Sequence, residues 1–373
     1  MTNLAAAAWL DELPADLRLT RVVGFDLVSR RPKFVGRNSR LGDHGDQAVD
    51  QMVRLWTNTG QQALGYAPDG EAHWAARLGR NPFEPEALAG RGAMPLLDLA
   101  GRLLGRPAYE LLGGLGAGPL PAYDGSIYFA DLRPEHAADW RDQFRRELDQ
   151  GLERGHRAFK VKIGRGAKWM ARAAGDARDL EVLAVARDHL GPAAGLGVDA
   201  NNGYDLPGAL QFATAAAALG LLFFEEMFPE TLDDCRALQA HLRALGSAAL
   251  VCDGETTDLA SLAPLLTAGV VDVGQLDMKG CGFQVILDEA ALARRVAPHN
   301  WGSLIGQYML AHLGRAIDNF YLAECDPLDC DLLRAEGYRL RDGRLDVPAA
   351  PGFGLALDEA GFAAEVAPRF DLS

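Results

Sequence analysis

Charged side chains end a series of short apolar segments from the middle of this 373-residue chain onwards. Each segment is rich in Val, Leu or Phe before its polar end, and the charged residues are Lys160, Lys162, Asp199, Glu225, Glu255, Asp277, His299 and Glu324. Short, continuously apolar segments are typical of parallel strands that are buried on both faces. Because the strands of a parallel barrel present their carboxyl ends at one rim, we expect these side chains to form one site.

Three of these residues are carboxylates that suit a divalent cation. Asp199, Glu225 and Glu255 end successive predicted strands. Three converging carboxylates repel one another unless a cation lies among them. An all-oxygen ligand set that leaves positions for substrate oxygens favours one Mg²⁺. For any single acid, the alternative is a helix cap or an ion pair with arginine.

Two lysines and a histidine are candidates for moving protons beside that cation. Lys160 and Lys162 are two residues apart in a predicted strand, so their side chains share a face. We expect the cation and the neighbouring ammonium to lower the pKa of a lysine towards that of a usable base. Asp277 and His299 end adjacent strands, where the carboxylate would orient the imidazole. Glu324 could hydrogen-bond a developing oxyanion if protonated, or pair with a lysine.

This combination fits removal of a proton α to a carboxylate. Such a carbon acid is very weak, so the enediolate needs stabilisation as it forms. A metal ion close to the developing charge provides it.

The elements that would position these side chains alternate between strands and helices. Stretches with helical spacing, such as DARDLEVLAVARDHL, separate the apolar segments and predict βαβ crossovers. With a first strand centred on Tyr123, the strands number eight, which closes a TIM-like barrel. Residues 1–118 read instead as an α+β domain, with an alternating segment at 19–36 and helical patterns at 45–60 and 92–105. Asp342-Gly343 indicates a tight turn after the barrel.

Composition excludes some classes of function. A formal net charge of −14 argues against a nucleic-acid partner, because no basic stripe is present. The five cysteines include no CxxC pair and are expected to be reduced thiols. The first residues contain no basic segment ahead of an apolar one, which predicts neither a signal peptide nor a spanning helix. We therefore expect a cytoplasmic protein without a membrane partner.

A series of ordered motifs makes the chain similar to the enolase superfamily, and within it to the mandelate racemase group. The motifs are PLLDLAGRLLGRPAYELLGG, KVKIG, VDANNG, FFEEMFPE, VCDGET, QLDMKGCGF, APHNWGS and PAAPGFG. The resemblance implies an α/β fold: a capping α+β domain (1–118), a modified (β/α)7β TIM barrel (119–335), and a C-terminal segment (336–373) that packs back on the capping domain. It also implies a homo-oligomer.

The same resemblance assigns roles to residues. Mg²⁺ is expected on Asp199, Glu225 and Glu255, the base on Lys162 with Lys160 as its companion, the opposing dyad on His299 and Asp277, and the oxyanion partner on Glu324. Further candidates for contact with substrate, or with the groups around it, are Asn201, Arg37, Tyr123 and Trp301.

Three departures from the usual motifs affect these assignments. The usual EEP turn is EEMFP here, which leaves open whether Glu225 or Glu226 binds the metal. Because side chains alternate along a strand, only one of the two glutamates is expected to point inward. Phe283 replaces the second glycine of the usual pair in QLDMKGCGF. The sixth strand carries Asp277 rather than the lysine of muconate cycloisomerases and dipeptide epimerases, and Lys279 could be mistaken for that lysine.

The reaction has several possible forms. We favour dehydration of an acid sugar to a 2-keto-3-deoxy acid, and the alternative is racemisation or epimerisation of a 2-hydroxy acid. From a different class, a barrel could bind metal and ligand without turnover, although it would need no Lys162 or His299. A phosphate-binding aldolase or isomerase barrel ranks last, because no Gly-rich loop lies near the last strands.

The substrate is expected to be a small carboxylate that meets the polar loop at residues 30–45. Lys33, Arg37 and Arg40 in this loop could bind a distal carboxylate of a diacid sugar. The alternative is a solvated basic turn.

Overall fold

The strands and helices come from a computed structural model that describes residues 3–114 and 118–373. The strands are β1 (Leu19–Val35), β2 (Gly45–Thr57), β3 (Gln62–Tyr66), β4 (Leu120–Ile127), β5 (Ala158–Lys162), β6 (Gly195–Asp199), β7 (Phe223–Glu225), β8 (Leu250–Asp253), β9 (Val273–Gly274), β10 (Arg295–Val296), β11 (Ala323–Glu324), β12 (Leu333–Arg334), β13 (Arg339–Arg341), β14 (Arg344–Asp346), β15 (Ala356–Leu357) and β16 (Pro368–Leu372). The helices are α1 (Glu71–Ala75), α2 (Pro85–Ala89), α3 (Met94–Leu104), α4 (Ala108–Leu111), α5 (Trp140–Glu153), α6 (Arg172–Leu190), α7 (Leu206–Ala216), α8 (Leu232–Ala244), α9 (Leu259–Ala268), α10 (Met278–Cys281), α11 (Phe283–Leu292), α12 (Leu304–Ala316) and α13 (Glu359–Glu365).

Strands β4 to β11 form a parallel sheet with helices in the connections between them. They neighbour one another in the order β10, β9, β8, β7, β6, β5, β4 and β11, and every pairing is parallel. β10 is also linked to the segment just before β11, because Tyr321 N–H donates to Val296 O at 2.8 Å and Val296 N–H donates to Asn319 O at 3.1 Å. The predicted α/β alternation is confirmed.

A second, antiparallel sheet contains the N-terminal strands and the last strand, in the order β16, β1, β2, β3. The helix predicted for residues 45–60 is wrong, because residues 45–57 form β2. Its buried side chains alternate from Ala48 through Asp50 to Met52. Because Asp50 is polar, a pattern based on apolar residues alone does not show that every second side chain of β2 is buried. The helical prediction for residues 92–105 is confirmed by α3.

The C-terminal part of the chain contacts both sheets. Asp342 and Gly343 have φ angles of 48° and 72° and connect β13 to β14, which confirms the predicted tight turn. β14 pairs with β4 of the parallel sheet, whereas β16 pairs with β1. The segment predicted at 336–373 is thus divided between the two sheets, and the domain boundaries at 118 and 335 stay predictions. None of the described helices combines the length and apolar character needed to cross a membrane.

Candidate active site

Three carboxylates converge where β6, β7 and β8 end. Asp199 and Glu225 are the last residues of β6 and β7, and Glu255 lies just after β8. One carboxylate oxygen of each lies within 4.8 Å of the others. Asp199 and Glu225 are buried, and the Glu255 side chain is only 7% exposed. Three shielded carboxylates at this spacing form a hard-oxygen donor set that fits Mg²⁺.

Two buried lysines of β5 lie beside these carboxylates. Lys160 Nζ is 2.6 Å from Glu225 Oε1 and 3.0 Å from Glu324 Oε1, and Lys162 Nζ pairs with Asp199 Oδ2. Residues two apart in a strand point to the same face, which brings both ammonium groups to one side of the sheet. The two lysines are not equivalent, because Lys160 pairs with three carboxylates and Lys162 with one.

The protein groups raise the pKa of both lysines. Burial by itself lowers the pKa of Lys162, but the facing carboxylates, led by Asp199, outweigh burial. The pKa of Lys160 is raised well above its usual range despite burial, led by Glu225 and Glu324. The predicted fall in lysine pKa depends on a bound cation and stays a prediction, because the facing carboxylates raise the pKa of both lysines when no cation is among them. A cation bound by those carboxylates would offset their effect.

A histidine–aspartate pair lies next to the triad. A parallel backbone bridge joins Asp277 to His299, and His299 Nδ1 is 2.7 Å from Asp277 Oδ2. His299 Nε2 is 3.0 Å from Glu255 Oε2. Burial would lower the pKa of His299, but the charge of Glu255 and the bond to Asp277 raise it to about 10. Asp277 also accepts the Gly280 N–H, so its carboxylate is held at both ends.

Glu324 ends β11 with both carboxylate oxygens engaged. Oε1 pairs with Lys160, and Oε2 accepts the Asn300 N–H at 2.8 Å. A Cβ at position 125 of β4 would lie 2.3 Å from Glu324 Oε1, so Gly125 leaves room for this carboxylate. Burial favours the protonated form, but Lys160 and His299 hold the pKa of Glu324 below its usual range. Of the two expected roles, pairing with a lysine is the one observed.

Glu225 and Glu226 both reach the site, so the expectation that only one faces inward is wrong. The backbone of Glu226 is left-handed, with φ of 42°, so the strand alternation ends after Glu225. Glu226 Oε2 accepts from Asn201 Nδ2 at 3.0 Å, and the same amide donates to Glu255 Oε1 at 2.9 Å. Thr256 Oγ1 donates to Glu226 Oε1 at 2.8 Å. Burial, followed by the nearby carboxylates, raises the pKa of Glu226 to about 8.

The three loop residues expected to bind a distal carboxylate, Lys33, Arg37 and Arg40, are each paired with an acid of the protein. Arg40 pairs with the triad. The pairs are Arg37–Asp43, Lys33–Glu147 and Arg40–Glu255, with N···O distances of 3.2, 2.8 and 3.2 Å. Arg37 also lies over the ring of Trp169, 4.7 Å from its centroid.

Tyr123 lies within the apolar interior of the sheet. Its ring packs against Phe223 with centroids 5.9 Å apart, and Lys160 Nζ lies 5.5 Å from its centroid. Its hydroxyl is buried. Tyr123 therefore packs next to Lys160 as part of the core.

Trp301 belongs to a group of side chains at the edge of the site that the sequence analysis otherwise missed. Its indole stacks on Tyr128 with centroids 4.5 Å apart, and Lys162 Nζ lies 5.1 Å from the Tyr128 centroid. His44 and Arg31 contact the same indole. Both residues belong to the loop at 30–45, which was expected to contact substrate. Neither His44 nor Arg31 ends an apolar strand, so the pattern of charged residues at strand ends did not identify them.

The comparisons with known proteins agree with this architecture. A family model described as enolase C-terminal domain-like matches residues 143–361, more than half of the chain. The chain belongs to this family. The resemblance to the enolase superfamily and its mandelate racemase group is confirmed. The relatives are named as dehydratases, cycloisomerases and epimerases, and the protein is an enzyme of this superfamily type. The alternative of a barrel without turnover is not retained.

Two solved structures resemble the chain over nearly its whole length. Galacturonate dehydratase from a Geobacillus species, complexed with D-galacturonate and 5-keto-4-deoxy-D-galacturonate, is 29% identical with a TM-score of 0.88, covering 97% of this chain and 100% of that chain. A mandelate racemase/muconate lactonizing protein from Geobacillus sp. Y412MC10, complexed with magnesium and tartrate, is 30% identical with a TM-score of 0.88, covering 95% of this chain and 96% of that chain.

A curated relative matches a shorter region. The D-galactarolactone cycloisomerase of Agrobacterium fabrum is 34% identical over 215 residues, which is 56% of this chain and 52% of that protein. The chain thus spans about half the length of this relative in the match.

Proposed function

We propose that the protein removes water from an acid sugar. A proton leaves the carbon next to the carboxylate, a hydroxyl leaves the following carbon, and the resulting enol tautomerises to a 2-keto-3-deoxy acid. The observation that carries this proposal is the meeting of an acidic triad, Lys162 and the Asp277–His299 pair in one shielded centre. The similarity to a galacturonate dehydratase over nearly the whole chain supports it.

The acidic triad would hold one Mg²⁺. Its ligands would be Asp199, Glu225 and Glu255, whose oxygens lie close enough to share a cation. When bound, the ion would stabilise negative charge on the substrate carboxylate as the α-proton leaves. Lys160, which pairs with Glu225 and Glu324, would place a second positive charge near that carboxylate.

Two side chains would move the protons. Lys162, as the neutral amine, would accept the α-proton of the substrate. His299, as the imidazolium that Asp277 helps to hold, would donate its Nε2 proton to the leaving hydroxyl, which departs as water. The enzyme then carries one proton more on Lys162 and one fewer on His299, and exchange with solvent restores both.

We also propose that the parallel strands close into a (β/α)7β barrel, which the capping domain covers. The hydrogen bonds that link Val296 to Asn319 and Tyr321 support closure, because they join β10 to the segment that leads into β11, at the other edge of the parallel sheet. An oligomeric assembly and a cytoplasmic location stay predictions.

Racemisation or epimerisation is the second candidate. The same two groups flank the triad, with Lys162 at Asp199 and His299 at Glu255. If the substrate has no leaving group on the β-carbon, a proton returned by the other group would invert the α-carbon.

The test is exchange of the α-proton in D₂O. The enzyme is incubated with Mg²⁺ and a panel of acid sugars and 2-hydroxy acids, and the products are read by NMR and mass spectrometry. Lys162→Met and His299→Asn are run in parallel. His189→Asn is a matched control, because His189 also pairs with an aspartate, Asp149, at 2.7 Å but lies on the surface.

Keto product that is lost in both site variants and kept in the control supports dehydration. Deuterium at the α-carbon without keto product replaces dehydration by racemisation or epimerisation. Keto product that survives Lys162→Met overturns the assignment of the base.

A further inference from the structure

A buried guanidinium near the proposed active site lacks an acidic partner. Arg31 is 9% exposed. Within residues 3–114 and 118–373, no carboxylate oxygen lies within 4 Å of its nitrogens. Its NH1 donates to the Gln47 carbonyl, and its Nε–H is buried without a hydrogen-bond partner. Burial of an unpaired charge is costly, so such a group calls for a ligand or another explanation.

The guanidinium is connected to the proposed base through two stacked rings. Arg31 Cζ lies 4.8 Å from the centroid of the Trp301 indole, and Trp301 stacks on Tyr128. Lys162 Nζ lies over the other partner of this stack, 5.1 Å from the Tyr128 centroid. The two rings therefore separate Arg31 from the reacting end of the site.

His44 supplies a second unpaired donor beside the same indole. Trp301 Nε1–H donates to His44 Nδ1 at 3.3 Å, and since indole nitrogen is only a donor, Nδ1 must be the acceptor. The proton of the neutral ring is then on Nε2, which is buried without a partner. Burial, with help from Lys162 and Arg31, lowers the pKa of His44 to about 4, so the ring is neutral at physiological pH.

Asp326 is a nearby acid that does not pair directly with Arg31. It accepts the Gly302 N–H at 2.9 Å through Oδ2. Burial and the charge of Glu324 raise the pKa of Asp326 to about 7, although the charge of Arg31 acts in the opposite direction. A carboxylate from a ligand would accept from both free donors and balance the guanidinium. A hydroxyl or an aldehyde would accept a hydrogen bond but would leave the charge unbalanced.

We infer that Arg31 and His44 bind the distal carboxylate of a dicarboxylic acid sugar whose other carboxylate meets the acidic triad. This inference rests on the proposed function and names its substrate class. It also moves the distal-carboxylate site from Lys33, Arg37 and Arg40, whose charges are already paired, to a guanidinium that is free to bind an anion.

The test compares two substrates that differ at the distal end. Galactarate carries a carboxylate where D-galacturonate carries an aldehyde. The wild type is expected to have the higher kcat/KM for galactarate. Arg31→Met should lower kcat/KM for galactarate about 10- to 100-fold, the range of a charged hydrogen bond, and change it little for D-galacturonate. Arg30→Met is the matched control, because Arg30 lies on the opposite, exposed face of β1.

His44 gives a second pair of variants in case Arg31→Met does not fold. His44→Gln keeps a donor and should keep the preference for galactarate, whereas His44→Phe should reduce it. Equal losses for both substrates in Arg31→Met and in His44→Phe would overturn the inference, and so would a wild-type preference for D-galacturonate.

Binding without turnover separates this inference from the proposed function. In a Lys162→Met background with Mg²⁺, calorimetry compares galactarate with D-galacturonate, which lacks the second carboxylate. Adding Arg31→Met should weaken galactarate binding about 10-fold or more and leave D-galacturonate binding unchanged. If no acid sugar is turned over but galactarate binding depends on Arg31, the proposed function fails and the inference stands. Galactarate binding that does not change with Arg31→Met overturns the inference alone.

Discussion

At the scale of single residues, charge balance decides what the centre can bind. Lys160 and Lys162 face Asp199, Glu225 and, through Lys160, Glu324. Glu255 and Glu226 share the Asn201 amide close by. Arg40 and His299 pair with Glu255 as well, so four cationic groups face six carboxyl groups, Asp277 included, and a divalent cation would offset the remaining excess.

Substitution of the two adjacent glutamates tests which one would hold Mg²⁺. Glu225→Gln should weaken Mg²⁺ binding by about 100-fold or more, because it removes a charged ligand. Glu226→Gln should cost about 10-fold or less, because Glu226 acts through Asn201 and Thr256. Calorimetric titration of chelator-treated protein with Mg²⁺ measures both. A larger loss in Glu226→Gln would transfer the ligand role to that residue.

Replacement of the carboxylate behind His299 tests how the imidazole is oriented. Asp277→Asn would present an amide to Nδ1 and remove the charge that favours the imidazolium. We expect the turnover rate to fall about 10- to 100-fold with an unchanged melting temperature. Asp149→Asn removes the partner of the surface residue His189 and serves as the control. Full activity in Asp277→Asn would contradict the role given to the pair.

The charged residues at strand ends could be predicted from the sequence, because each ends an apolar segment that has a recognisable length and composition. The reach of Glu226 could not, since it depends on a left-handed backbone at that residue. Arg31 and His44 could not be assigned either. They come from the N-terminal sheet and its loop, and contact Trp301 through the tertiary fold.

At the scale of elements, α11 places a carboxyl group inside the protein against β9. Glu289 is fully buried, its Oε1 accepts the Leu276 N–H at 3.2 Å, and its Oε2 has no partner. A Cβ at Gly274 would lie 2.4 Å from Oε1, so the glycine of β9 makes room for the carboxyl. Burial raises the pKa of Glu289 from 4.5 to about 8.

This shift predicts a loss of stability as pH rises. Between pH 4.5 and about 8, the native state holds a proton on Glu289 that the unfolded state has lost. The free energy of unfolding should therefore fall by about 1.4 kcal/mol per pH unit from this group. Glu289→Gln should remove that dependence and be more stable than the wild type at pH 8. Urea unfolding at a series of pH values measures it.

Asp288→Asn is the control for Glu289→Gln, because Asp288 is the neighbouring acid on α11 and is exposed. Parallel pH dependences in the wild type and Glu289→Gln would contradict the raised pKa.

The elements also differ in how well the sequence predicts them. The parallel strands are short and buried on both faces, so they read directly from continuous apolar segments. In β2, Asp50 occupies a buried position between Ala48 and Met52. The alternation of apolar and polar residues that would predict a strand is therefore interrupted in the sequence. Its partners, Ser303 and Ile305, lie far away in the chain, so no local pattern could have explained a buried acid there.

At the scale of the whole molecule, the same aspartate joins the N-terminal sheet to helix α12, which packs against β4 and β11 of the parallel sheet. Asp50 accepts from Ser303 Oγ and from the Ile305 N–H at 3.2 Å, where α12 begins. Ser39 Oγ donates to the Ala200 carbonyl at 2.7 Å. These contacts link the two sheets close to Trp301 and the acidic triad, so we expect the sheets to unfold together.

Asp50→Ala tests this coupling. It leaves the Ser303 hydroxyl and the Ile305 N–H without an acceptor in a buried position, at a cost of about 2–4 kcal/mol. If the two sheets unfold as one unit, native-state hydrogen exchange should accelerate by the same factor in peptides from β2 and from β6, and calorimetry should keep a single transition. Asp46→Ala, at an exposed position of β2, should change neither. Faster exchange confined to β2 would mean that the N-terminal sheet opens alone, and the loop at residues 30–45 would then move independently of the acidic triad.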